Sequence, residues 1–176
     1  MMKSSRFFFS CILSGVATLF FCSSSCSVEP VSTDIEKWLS VHNKYRELHG
    51  VPSVVWSEKV AASALRYAMT CPAGHSGSIY GENLAWASYD MTIEGTVEKW
   101  YNEEPLYDYG NPGYIAGVGH FTQIVWKKTI EIGCAYVTGC TPGHSLRANT
   151  WVCHYFPPGN YRRQFSENVF PPLSLE

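Results

Sequence analysis

The sequence predicts an α+β fold, a three-layer α-β-α sandwich built on a small antiparallel sheet. Three observations lead there. Apolar residues recur at helical spacing over three segments of the first two-thirds of the chain. Two β-branched and aromatic runs of strand length, 132–138 and 150–156, follow one another across a turn-rich segment. Between these two groups lies Gly119-His120-Phe121-Thr122-Gln123-Ile124-Val125-Trp126-Lys127-Lys128-Thr129, a histidine placed where a glycine-rich loop gives way to regular backbone.

Taken in order, Val28 to Ser32 reads as a loose lead-in. Thr33-Asp34-Ile35-Glu36 forms a capping box, and Ile35, Trp38, Leu39, His42, Tyr45 and His49 share one helical face. Gly50 ends that helix and Pro52 prevents its continuation. Ser57 caps a second helix through Val60, Ala61, Ala64, Leu65, Ala68 and Met69, whose alanines ask for close packing. Residues 73–78 are a loop by composition, and Gly81 to Ala87 is a short strand or turn. Thr92 opens a third helix with Ile93, Val97, Trp100 and Tyr101 inward, stopped by Pro105. The stretch from Pro105 to Gly119 is long enough for a functional loop. In the short helix begun at His120, Phe121, Ile124, Val125 and the stem of Lys128 face inward, while Trp126 and Lys127 start an outer face. Gly139 to Asn149 joins the two strands, and the tail after Asn160 is polar before Pro171-Pro172.

The chain has 176 residues, enough for one domain with a sizeable core. Residues 1–27 read as a secretory signal peptide: Lys3 and Arg6, then an apolar run from Phe7 to Phe21 too short to span a bilayer, then small residues. A lipid anchor on Cys22 or Cys26 is the alternative. Residues 28–176 are then a single domain with a short C-terminal tail. Without the leader, 11 basic and 15 acidic residues remain, and no basic cluster. That argues against nucleic acid and anionic membrane surfaces. Cys71, Cys134, Cys140 and Cys153 are an even set in a chain read as extracellular, so two disulfides are expected among three possible pairings. No Asn-x-Ser/Thr acceptor occurs.

His75 precedes Glu82 by seven residues, and Glu103 precedes His120 by 17. Two imidazoles and two carboxylates suit a divalent cation such as zinc. An acid–histidine cluster that only holds loops together fits the same spacing. His42, His49, His144 and His154 compete as ligands. Ser76 lies beside His75, but sequence neighbours rarely face each other as nucleophile and base, and no Gly-x-Ser-x-Gly elbow exists.

Gly119 to Thr129 resembles the first signature of the CAP superfamily (cysteine-rich secretory, antigen five and pathogenesis-related proteins). Cys153-His154-Tyr155-Phe156-Pro157-Pro158-Gly159-Asn160-Tyr161 resembles the second. The segments Gly74-His75-Ser76, Gly81 to Ala85 and Trp100 to Glu103 are similar to further family motifs in the family's order. The resemblance implies the CAP fold, with a cleft holding His75, Glu82, Glu103 and His120 as candidate ligands for zinc or magnesium, neither obligatory. It also implies the pairing Cys71–Cys140 and Cys134–Cys153, which the residues alone leave open.

Tyr107-Asp108-Tyr109-Gly110-Asn111-Pro112-Gly113-Tyr114 carries aromatics at its first, third and eighth positions. In this it resembles the caveolin-binding-type motif of the fungal secreted sterol-binding members. Tyr107, Tyr109, Pro112 and Tyr114 are therefore the expected lipid contacts, with Pro112 and the glycines holding the loop off the core and away from the cleft. The expected function is that of a secreted, extracellular lipid-binding protein rather than an enzyme. Its expected partner is a sterol or another small lipid, with no transmembrane segment. The competing readings are an effector acting on a protein receptor and a metal-dependent hydrolase using the same cleft.

Overall fold

A computed structural model describes residues 29–30, 34–141 and 148–174; the expected signal peptide, Thr33 and His144 lie outside them. The elements run β1 (Glu29–Pro30), α1 (Ile35–Leu48), β2 (Val55–Trp56), α2 (Glu58–Ala68), β3 (Gly81–Ala87), α3 (Ile93–Tyr101), a 3-10 turn (Glu104–Leu106), α4 (Gly119–Ile124), β4 (Glu131–Cys140), β5 (Ala148–Phe156) and α5 (Phe165–Asn168). Asp34 caps α1, its side chain accepting from the Lys37 N–H, so the cap falls one residue later than the Thr33 box. Thr92 caps α3 through the Gly95 N–H.

The sheet order is β1-β4-β5-β3, with β2 added parallel to the start of β4. That parallel pair is a small departure from the all-antiparallel sheet expected. Alternation along the strands separates two apolar layers, as a period of two requires. Ile132, Cys134, Trp151, Cys153 and Tyr155 face α1, α3 and α4, packing with Trp38, Val97, Trp100 and Phe121. Leu84, Val137, Cys140 and Val152 face α2, meeting Ala64 and Ala68. Each fully buried tryptophan removes roughly 150–250 Å² from water, worth about 4–6 kcal/mol at ~25 cal/mol per Å². The alanines of α2 serve the close approach expected of them: a side chain at Gly133 would collide with the backbone of Ala61.

Cys134 and Cys153 are direct register partners of β4 and β5 and are joined by a disulfide. The second joins Cys71 to Cys140. A bulge between Val137 and Cys140, with Gly139 at φ 77°, turns Cys140 to the same face as Val137, where Cys71 waits at the end of α2.

Two expectations are corrected by the C-terminal segment. Trp126 does not start an outer face; it is fully buried, because α4 ends at Ile124 and helical spacing no longer applies. Phe165 of α5 covers it edge-on at 5.2 Å. The tail is accordingly not a polar appendage: Phe165 and Val169 belong to the core. His49 fastens the segment beyond α5, with Nδ1 at 2.6 Å from the Phe170 carbonyl and Nε2 at 2.9 Å from the Tyr101 hydroxyl.

Candidate functional site

The loop after α2, the start of β3, the end of α3 and the start of α4 meet at one cavity of about 240 Å³. His75, Glu82, Glu103 and His120 all line it, together with Asn83, Tyr114 and Asn160. Glu103 follows α3 and reaches the first turn of α4. One oxygen accepts from His120 Nδ1 at 2.6 Å; the other accepts the backbone N–H groups of His120 and Phe121 at 2.9 and 3.2 Å. Those are donors a helix start leaves without intrahelical partners. Glu82, at the start of β3, accepts from His75 Nδ1 at 2.7 Å and from the Ser76 N–H at 2.9 Å. Its second oxygen accepts from His154 Nε2 at 2.9 Å.

Burial alone would raise the Glu82 pKa, but the hydrogen bonds from His154, His75 and Ser76 outweigh it. They hold the carboxyl well below the usual carboxylate range. The hydrogen bond that His75 donates to Glu82 in turn raises the pKa of His75.

The geometry gives the four expected metal ligands two kinds of setting. Each carboxylate is committed to an imidazole Nδ1 and to backbone N–H groups. The four side chains form two His–Glu pairs facing one cavity, not a closed shell; no set of three of their ligand atoms gathers within 4.8 Å. Accepting the Nδ1 proton fixes the tautomer and leaves Nε2 of His75 and of His120 as nitrogens without a hydrogen-bond partner among the described residues. A carboxylate behind each imidazole is the arrangement that orients histidine ligands toward a cation and raises their basicity. Two such imidazoles lining one cavity supply nitrogen donors of the kind that suit a divalent ion. His42, Cys134 and Cys153 do approach within 4.8 Å of one another, but both sulfurs are consumed in a disulfide and both His42 nitrogens are hydrogen-bonded. That group offers no free ligand.

Behind the cavity runs a buried chain of hydrogen bonds. Asn83 Nδ2 donates to the His120 carbonyl and to the Tyr155 hydroxyl. The Tyr155 hydroxyl donates to His42 Nε2 at 3.0 Å, and His42 Nδ1 donates to the Trp38 carbonyl at 2.7 Å. Only the Nδ1–H tautomer of neutral His42 satisfies both contacts. Burial pushes its pKa down to about 4. Between pH 6.5 and 4 the unfolded chain therefore takes up a proton that the folded chain refuses. Stability should fall as pH drops through that window, by roughly 3 kcal/mol in all for a shift of this size. His75, raised and well exposed, works in the opposite sense, but only above 6.5. Urea unfolding of wild type and His42→Gln at pH 7 and pH 4.5 tests this. A variant with the same acid loss as wild type would rule His42 out as its source.

The second signature locks onto the first. Asn160, at φ 60°, donates to the Gly119 carbonyl and accepts from Thr122 at 2.6 Å, and Gln123 accepts from the Gly159 N–H. His120 is thereby held from its own helix, from Glu103 and from the loop after β5.

The aromatic loop departs from expectation. Tyr107 is 6% exposed and packs against Tyr109, Phe121 and Phe165. Tyr109 is half-buried and donates to Glu104 at 2.8 Å. These two rings anchor the loop to the core instead of standing off it, because Phe121 and Phe165 supply an apolar socket from distant parts of the chain. Pro112 and Tyr114 are exposed, Tyr114 at 61%. Tyr114 also lines the cavity of the two histidines, so this part of the loop adjoins the cleft rather than standing apart from it.

Two side chains central to this arrangement have weak or no sequence signals. His154 is a direct cross-strand partner of Glu82, a pairing legible only once the register of β3 on β5 is known. Arg46, which no pattern in the sequence singles out, is fully buried.

The family model described as the cysteine-rich secretory protein family (CAP) matches residues 39–155. "Repressed by EFG1 protein 1" of Candida albicans is 40% identical over 152 residues, covering 78% of this chain and 54% of that protein. The "Golgi-associated plant pathogenesis-related protein 1" of Homo sapiens is 37% identical over 145 residues, covering 76% of this chain and 90% of that one. The chain thus spans about half the length of the fungal relative. The structure of BmVAL-1 superposes with a TM-score of 0.63 at 27% identity, over 79% of this chain and 84% of that one.

Proposed function

Because this chain belongs to the cysteine-rich secretory protein (CAP) family, we propose that it is a secreted binding protein with two adjoining surfaces. One is the cleft, where Nε2 of His75 and of His120 take a zinc or magnesium ion weakly and reversibly. The other is the exposed part of the aromatic loop, where Pro112, Tyr114 and Ile115 cover a sterol or similar small lipid. The observation that carries this reading is Tyr114: a large exposed ring on the rim of a cavity lined by two oriented histidines. Two disulfides support an oxidising, extracellular setting. No helix of the described residues is long and apolar enough to cross a membrane. Binding is favoured over nucleophilic hydrolysis because neither imidazole has a nucleophile paired with it: among the described residues, no hydroxyl or thiol hydrogen-bonds either ring.

Burying one ring on a ligand contributes roughly 1.5–3 kcal/mol, so truncating Tyr114 to alanine should weaken sterol binding about tenfold or more. Tyr114→Ala and Ile115→Ser should leave the melting point nearly unchanged, since both side chains are exposed. Titration of labelled cholesterol against wild type and both variants makes the test, with His75→Ala and His120→Ala titrated against zinc in parallel. Undiminished sterol affinity in the loop variants would remove the loop from the ligand surface. Zinc affinity unaltered in the histidine variants would remove the cation from the cleft.

A further inference from the structure

Glu82 serves two histidines, and only one of them lines the cleft. His154 lies directly opposite Glu82 across the β3–β5 ladder and is 1% exposed, against 65% for the side chain of His75. Its ring is stacked between Tyr80, at 5.3 Å and 21°, and Tyr67, at 6.4 Å and 26°. The neighbouring β4 position is Gly133, so no side chain competes for that space. His154 Nδ1 is buried without a hydrogen-bond partner, while Nε2 meets Glu82 Oε2. An ionised carboxylate only accepts, so Nε2 bears the proton and the bare Nδ1 is the buried lone pair.

The consequence concerns His75. The loop that carries it contains no regular structure, and a side chain added at Gly74 or Gly77 would meet nothing. What holds the imidazole is the carboxylate of Glu82, and what holds that carboxylate is His154: Oε2 bonded to the sheet leaves Oε1 aimed at His75 Nδ1 and the Ser76 N–H. We propose that His154 is a positioning residue for the cleft, acting through Glu82 to keep the His75 proton on Nδ1 and its Nε2 lone pair available to a ligand. Its consequence for a cation rests on the metal reading given above; its effect on the His75 tautomer does not.

The test pairs two substitutions at one position. His154→Gln retains an N–H donor of similar reach, and His154→Phe keeps the ring between Tyr67 and Tyr80 but removes the donor. Two-dimensional proton–nitrogen spectra of the metal-free protein at pH 8 report which nitrogen of His75 is protonated. Wild type and His154→Gln should show the Nδ1–H form, and His154→Phe a mixture with the Nε2–H form that a free neutral imidazole prefers. In zinc titrations His154→Phe should bind ~10- to 100-fold more weakly, the usual loss when the partner behind a ligand is disturbed. His154→Gln should recover most of that loss. In a His75→Ala background, His154→Phe should cause no further loss.

An unchanged His75 tautomer in His154→Phe would overturn the proposal, leaving His154 as packing alone. An equal zinc loss with and without His75 would overturn it too. If wild type binds no zinc, the cation reading fails, and the tautomer measurement still decides the role of His154. Should His154→Phe not fold, His154→Leu, which also lacks the donor, carries the same tautomer test beside His154→Gln: a His75 ring still held as Nδ1–H in it would overturn the proposal.

Discussion

Replacing Arg46 by methionine is expected to lower the stability of the fold by about 4 kcal/mol. The guanidinium is fully buried near the C-terminal end of α1 and meets four backbone carbonyls. Nε donates to Pro52 at 2.7 Å, one terminal nitrogen to Ile124 and Trp126 at 2.8 and 2.9 Å, and the other to Thr129 at 2.9 Å. No carboxylate among the described residues pairs with it. Burial lowers its pKa to about 10, so it remains charged at neutral pH.

The cation works here as a bracket for carbonyls where α4 ends and the chain turns toward β4, the Trp126 carbonyl accepting the Thr129 N–H as well. Each such charge-assisted bond contributes roughly 1.5–3 kcal/mol. The cost of burying the charge, relieved on mutation, reduces the net loss. For a domain of this size the melting point should fall by roughly 8–16 °C. Arg46→Lys should recover only a part, since a single ammonium cannot span four acceptors arranged for a planar fork. Denaturant unfolding of the three proteins gives the comparison. A methionine variant within about 1 kcal/mol of wild type would mean that the carbonyls find other partners, and that the bracket is dispensable.

Tyr107→Ala should cost about 3–5 kcal/mol, the range for truncating a large buried ring. The ring fills the space between Phe121, which follows His120, and Phe165 of α5. Its removal loosens both the helix start that carries a cleft histidine and the tail that covers Trp126. Tyr107→Phe provides the control. The hydroxyl is buried near the Gly113 N–H without a hydrogen bond of good geometry, so losing it should change stability by under ~1 kcal/mol. Thermal melts of both variants beside Tyr114→Ala separate anchor from rim. A stable Tyr107→Ala protein would return that residue to the exposed surface and restore a loop that stands off the core. Joint replacement of Tyr107, Tyr109 and Tyr114 would report unfolding rather than ligand affinity.

Local physics made much of this legible from the sequence. The three long helices and the strand pair follow from composition and periodicity, and the start of α3 from Thr92, a signal that acts within one turn. Ser57 stands before α2 without a side-chain cap bond, and α3 ends at Tyr101, ahead of Pro105. The meeting of two histidines with two glutamates came from the resemblance, not from spacing, because nothing in a separation of seven or seventeen residues dictates approach.

What the sequence left open needed contacts between distant segments. Trp126 looks exposed until Phe165 arrives to cover it. Tyr107 and Tyr114 are the same residue type in the same loop, yet Phe121 and Phe165 bury one and leave the other on the cavity rim. The choice among three disulfide pairings rested on strand register and on the bulge that turns Cys140 toward Cys71. Arg46 and His154 acquired their partners the same way: carbonyls 78 to 83 residues away for one, and a carboxylate 72 residues away for the other. Helical and strand periods show which face of an element is apolar. Which neighbour meets that face, and which polar atom finds a partner there, is decided only when the layers close.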